Sequence, residues 1–181
     1  MDERILYAIL ALEIVLRAVL EVHEKRLFGK MVPLWLFRIL PILNDFAPYP
    51  ENPPGEPDKK FVEAHEAAHK KLHHALLRNL CKLCFFIFLV LAILVMLGSW
   101  RIPFWQIVLW AHVILAVVRP LYHRICWAQE YEADKLAAQA VGTGAARREL
   151  ERLQRAERHV SPFFALAYRE HPPAYGRRSL F

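Results

Sequence analysis

The sequence predicts an all-α membrane protein with three transmembrane helices, or four if a short prolyl segment also crosses. Three observations carry this. Leu83 to Trp100 and Ile102 to Val118 contain no charged residue. At about 1.5 Å per residue, each run reaches roughly 25–27 Å as helix, close to the hydrocarbon thickness of a bilayer. The chain has 181 residues and is 56% hydrophobic, above the usual ~45–50%, and so short a chain cannot easily bury two helices that are apolar on every face. No stretch shows the apolar–polar alternation of a convincing strand.

Taken in order, the first element is "ILYAILALEIVLRAVLEV", residues 5–22. It lacks a basic start and a small-residue cleavage site, so it reads as a membrane helix rather than a removable signal peptide. An amphipathic surface helix is the alternative. Glu13 and Arg17 stand at i, i+4 and can pair inside a bundle. "MVPLWLFRILPIL" (31–43) is short, carries Arg38 and two prolines, and reads as an interfacial or re-entrant helix. Residues 1–43 therefore form an N-terminal anchor. Residues 44–60, "NDFAPYPENPPGEPDKK", are a proline-rich linker without helical or strand period.

Everything that can carry chemistry lies in residues 61–181, around a transmembrane hairpin at 83–118. A helix capped by Asp58 is expected to run through a histidine-rich stretch into the first central span. "GSWRIP" turns the chain. The second span returns, passes an expected kink at Pro120, and continues to Gly142 and Gly144, which end it. A charged amphipathic helix and a tail of loop and short helix follow.

The net charge of +6 is not a nucleic-acid signature, because the basic residues flank apolar runs. "KRLFGK", "HKKLHHALLRNLCK" and "RPLYHR" border membrane segments, and Lys82, Arg101 and Arg119 can snorkel to the interfaces. The positive-inside rule puts residues 23–82 and 119–181 in the cytoplasm and the 99–103 turn outside. Three spans then place the N-terminus outside. Cys81 and Cys84 form a lone C-x-x-C beside the membrane boundary, which reads as small apolar residues rather than a metal or redox motif.

The stretch "FVEAHEAAHKKLHH" (61–74) contains H-E-x-x-H. On a helix, His65 and His69 project from one face a turn apart and can grip one metal ion. Glu66 lies about 100° around from His65, where a general base can take a proton from water at the metal. A solvated polar face is the competing reading, since Lys70 and Lys71 follow at once. "EYEAD" (130–134) can supply what is missing. Glu130 completes a two-histidine, one-glutamate set with one position open. Asp134, one turn on, can accept a hydrogen bond from the far nitrogen of a ligand histidine. Alone, this is an ordinary acidic helix face. Height favours the site: His69 to Lys82 is about 20 Å of helix, and Arg119 to Glu130 about 17 Å. Helices leaving a hairpin on the same side hold these residues level.

The order H-E-x-x-H, membrane hairpin, E-x-x-A-D, then H-P-P with a downstream arginine resembles the HtpX-like and CAAX-prenyl-protease family of integral-membrane zinc metalloproteases. The matching segments are "AHEAAH" (64–69), "EYEADKLAA" (130–138) and "EHPPAYGRR" (170–178). The resemblance implies one Zn²⁺ per chain on His65, His69 and Glu130, with Glu66 as base. It implies that Asp134 supports a ligand, that His171 steadies the oxyanion, and that Arg177 stands nearby. It implies an endopeptidase acting on membrane-associated or misfolded proteins at the cytoplasmic face of a cell membrane. The family usually carries β-strands ahead of H-E-x-x-H. Here a proline-rich linker stands in their place, and proline lacks the donor that strand pairing needs. The departure points to a different substrate mode or to a partner that supplies the edge; a homo-oligomer or a membrane partner is an open expectation.

Two other readings stay open. His65, His69, His73 and His74 also match the histidine boxes of membrane di-iron desaturases, although that chemistry wants about eight histidines in clusters and His112, His123, His159 and His171 stand singly. In the bland view His73 and His74 are interfacial polar residues. A zinc-binding membrane sensor or scaffold without cleavage is the non-enzyme reading.

Overall fold

The computed structural model describes residues 55–157 and 169–181, together with Arg4, Tyr7, Ala8, Ala11, Leu12, Val15, Pro162, Ala165 and Leu166. The expected helix at 31–43 and most of the linker lie outside the described residues. The described N-terminal positions are helical. The helices described throughout are α1 (Lys59–Lys71), α2 (His74–Gly98), α3 (Phe104–Val141), α4 (Thr143–Ala156) and α5 (Ala174–Arg178). No strand occurs among the described residues.

Asp58 caps α1 as its position predicts, its side chain accepting from the Phe61 N–H at 3.3 Å. The same residue ties α1 to α4. Its backbone N–H donates to Glu149 Oε2 at 2.9 Å, and Arg148 reaches its carboxylate at 2.9 Å. Along α1, Phe61 is buried against Ala137, Ala138, Ala145 and Ala146. These small side chains let α1, α3 and α4 approach closely, so one aromatic ring fills the space between three helices.

The expected continuous helix from Asp58 into the membrane hairpin is broken. α1 stops at Lys71, and His73 takes the left-handed conformation (φ 53°, ψ 34°) before α2 begins at His74. A side chain with a Cβ resists that conformation, and glycine or asparagine is the usual occupant. The break redirects the chain between the histidine helix and the first apolar helix.

α2 and α3 form the hairpin. Each is long and apolar enough to cross a membrane. Leu83, Phe86, Phe88, Leu91, Leu94 and Val117 are each more than half exposed, which is unfavourable against water and natural against lipid. The Trp100 and Ile102 N–H groups close the turn on the Val95 and Met96 carbonyls at 3.2 and 3.0 Å. Near the turn, Tyr7 stacks on Trp105 with ring centroids 5.5 Å apart.

α3 runs for 38 residues and passes through Pro120 without ending. It stops at Gly142, whose φ of 93° suits glycine. Gly144, expected to share in that stop, lies instead inside α4. Beyond α4 the tail returns over the hairpin foot. Trp127 Nε1–H donates to the Arg169 carbonyl at 3.0 Å, and Lys82 pairs with Glu170 at 3.2 Å. The tail then enters α5 through Pro172 and Pro173, both buried. Gly176 lies close to α3: a Cβ there would sit 3.3 Å from the Tyr131 hydroxyl.

Candidate metal centre

His65 and His69 face α3 from one side of α1, as their spacing requires. Glu130 and Asp134 face them from α3. His65 Nε2 and His69 Nε2 are 3.0 Å apart. Glu130 Oε2 lies 3.4 Å from His65 Nε2, and Glu130 Oε1 lies 3.4 Å from His69 Nε2. Two imidazole nitrogens and a carboxylate thus converge on one point, and His65 and Glu130 are buried. Tetrahedral zinc with bonds of about 2.0–2.1 Å has ligands about 3.3 Å apart. The observed separations match that spacing, and the donor set is the two-histidine, one-glutamate set that leaves a fourth position open. The residues present therefore fit a zinc ion. Among the described residues this is the one histidine and carboxylate group arranged for a metal.

The outer nitrogens and the carboxylates are held in turn. His65 Nδ1 lies 2.9 Å from Asp134 Oδ1. The contact is close but not aligned with the ring N–H, so it acts more as a charge contact than as a straight hydrogen bond. Asp134 is fully buried and is forked by Arg177, with Nε and Nη2 donating at 2.7 Å each. Arg177 Nη2 also lies 3.9 Å from Glu130 Oε2. His171 Nδ1 stands 3.2 Å from Glu130 Oε1 and is 44% exposed, at the open side of the cluster. Glu66 is exposed, next to the buried His65 on α1.

These contacts set the charges. Burial alone would raise the Glu130 carboxyl. His171, His65 and His69 overcome it and hold Glu130 far below the usual carboxylate range. Burial disfavours a charged His65, but Asp134 and Glu130 outweigh it and push its pKa up to about 9. Asp134 is likewise lowered: Arg177 and His65 outweigh its burial. In the metal-free chain a proton on His65 therefore partly offsets two buried carboxylates, at the point where a divalent cation would do so.

The sequence of Peptidase family M48, taken as a family model, matches residues 50–179. The chain belongs to this family. No curated protein and no solved structure matches it. M48 membership makes the chain a metallopeptidase, and the cluster of His65, His69 and Glu130 lies within the matched region.

Two further residues reach the cluster: the sequence-based reading does not single out Arg78 and gives His74 another role. Arg78 donates from Nη2 to Glu130 Oε1 at 2.9 Å and from Nε to Gln129 Oε1 at 2.6 Å. His74, expected to be an interfacial polar residue, is buried with its Nδ1 2.8 Å from His69 Nδ1. His74 and Arg78 stand at i, i+4 on one face of α2, ahead of its apolar run from Leu83. That pairing was the available signal, because two polar residues on one face of such a helix need a polar partner.

Proposed function

We propose that this M48 chain is a zinc-dependent endopeptidase that cuts membrane-associated or misfolded proteins at the cytoplasmic face of a cell membrane. The observation that carries the reading is the convergence of His65 Nε2, His69 Nε2 and Glu130 at 3.0 and 3.4 Å. His65, His69 and Glu130 would hold a zinc ion, which would supply a Lewis acid for a scissile carbonyl and for an attacking water. Glu66, exposed beside His65, takes the water proton and passes it to the departing amine. His171, half exposed at the open side, donates to the negative charge that develops on the substrate oxygen. Arg177 and Asp134 hold His65 and Glu130 in register and take no part in proton transfer.

Basic residues at both feet of the hairpin support the cytoplasmic placement. The Tyr7–Trp105 stack, which sets the start of the N-terminal helix near the turn, supports an N-terminus on the opposite side. The reading as a zinc-binding sensor without cleavage draws on one observation: no strand edge for a substrate occurs among the described residues. One experiment separates the two. Purified protein should contain one zinc per chain and cleave casein or itself, and chelator should stop cleavage. Glu66→Gln should keep the metal and lose the cleavage. A folded, zinc-loaded Glu66→Gln protein that cleaves like wild type rules out the catalytic role of Glu66.

A further inference from the structure

We infer that His74 is a positioning residue for the metal site, accepting a hydrogen bond from His69 Nδ1–H and so fixing which nitrogen of His69 faces the metal. The inference rests on the metal-binding reading above and extends it to a residue outside the H-E-x-x-H motif.

The geometry is specific. His69 Nδ1 and His74 Nδ1 are 2.8 Å apart, and the rings meet edge to face with centroids 4.9 Å apart. Two ring nitrogens at that distance need one proton between them, since two lone pairs repel. His69 Nε2 points at His65 and Glu130 and must keep its lone pair to bind a cation. The proton on neutral His69 then belongs on Nδ1, and His74 Nδ1 must be the acceptor. A neutral His74 that accepts at Nδ1 carries its own proton on Nε2. That nitrogen faces the Glu132 carboxylate at 3.6 Å, too long for a hydrogen bond but of the right charge to favour this tautomer. Each group thus demands the protonation that its neighbour supplies.

The backbone is built for this contact. On an unbroken helix, residues 69 and 74 would point about 140° apart, and their rings could not meet. The left-handed His73 breaks the helix between them and swings His74 back onto His69. A backbone conformation unfavourable to a histidine is retained where it delivers this side chain. His74 is 4% exposed, so water does not compete for the acceptor. The two metal-facing histidines are therefore supported differently: a carboxylate behind His65, an imidazole behind His69.

The test uses full-length protein and Zn²⁺ or Co²⁺ as the probe. Asparagine places its side-chain oxygen where histidine carries Nδ1, so His74→Asn keeps an acceptor, whereas His74→Leu keeps bulk alone. Partners behind ligand histidines are worth roughly 10–100-fold in metal affinity. Zinc affinity in a chelator competition should fall by that factor for His74→Leu and by less than about threefold for His74→Asn. The Co²⁺ absorption bands should shift for His74→Leu only. Equal affinities of wild type and His74→Leu overturn the proposal, as does an equal loss in both variants. Should the leucine variant fail to fold, nitrogen chemical shifts of wild-type His69 decide instead: protonation at Nε2 in the metal-free neutral ring overturns the proposal. A wild type that binds no divalent metal sinks the parent reading and leaves the His69 tautomer measurable.

Discussion

Arg177→Met tests how the buried charges are balanced. Arg177 makes two donations of 2.7 Å to Asp134, and the side chains are 11% and 0% exposed. Each hydrogen bond to a charged group contributes about 1.5–3 kcal/mol, and removing one partner of a buried pair costs about 3–5 kcal/mol. His65 Nδ1, 2.9 Å from the same carboxylate, compensates in part. We therefore expect the lower end, about 3 kcal/mol. For a chain of this size that is a fall in Tm of about 6–12 °C. The assay is thermal unfolding in detergent with chelator present, so that metal binding does not enter. The decisive step is the double variant Asp134→Asn with Arg177→Met. It removes both charges of the Arg177–Asp134 pair together and should be more stable than the sum of the two single effects allows, by at least about 1.5 kcal/mol. Strictly additive effects would mean that the two residues act independently, and the account of the site as a charge-balanced cluster would fail.

Further expectations follow from other parts of the fold. Phe61→Ala empties the space between α1, α3 and α4 and should cost about 3–5 kcal/mol in the same melts. Gly142→Ala forces a Cβ into a left-handed backbone at φ 93° and should cost about 1–2 kcal/mol. The α1–α4 clamp predicts acid sensitivity. The Arg148 hydrogen bond lowers the Asp58 pKa, and Arg152 together with the Asp58 N–H outweighs burial to lower that of Glu149. Groups whose folded values are depressed stabilise the fold above the ordinary carboxylate range, and that stability disappears as pH falls through the folded values. Tm should therefore begin to drop below about pH 5 and keep falling below the ordinary carboxylate range, and less steeply in Glu149→Gln than in wild type. An equal slope in both proteins removes the clamp as a cause.

Much of this was legible in the sequence. The uncharged runs locate the hairpin because each coincides with one of the two long apolar helices. The spacings 65–69 and 130–134 locate the cluster because a helical turn is a local property. Asp58 as a cap is legible for the same reason. The break at His73 is not, since no glycine or proline marks it and a histidine takes the left-handed conformation there. Arg78 was equally hidden: it meets Glu130 across 52 positions of sequence. Gly144 misleads because one glycine suffices to stop α3, and α4 starts at the next residue.

The helix that carries Glu130 is also one of the two that are long and apolar enough to cross a membrane. Proline at 120 removes one backbone donor inside this helix, a point where a helix can bend. From Pro120 to Glu130 is about 15 Å, so a flexure of only about 5° carries the carboxylate about 1.3 Å sideways. Metal bonds tolerate about 0.2 Å. In the proposed membrane placement, the two arginines gripping Glu130 and Asp134 serve as guy-lines that keep the far end of a long mast from swaying.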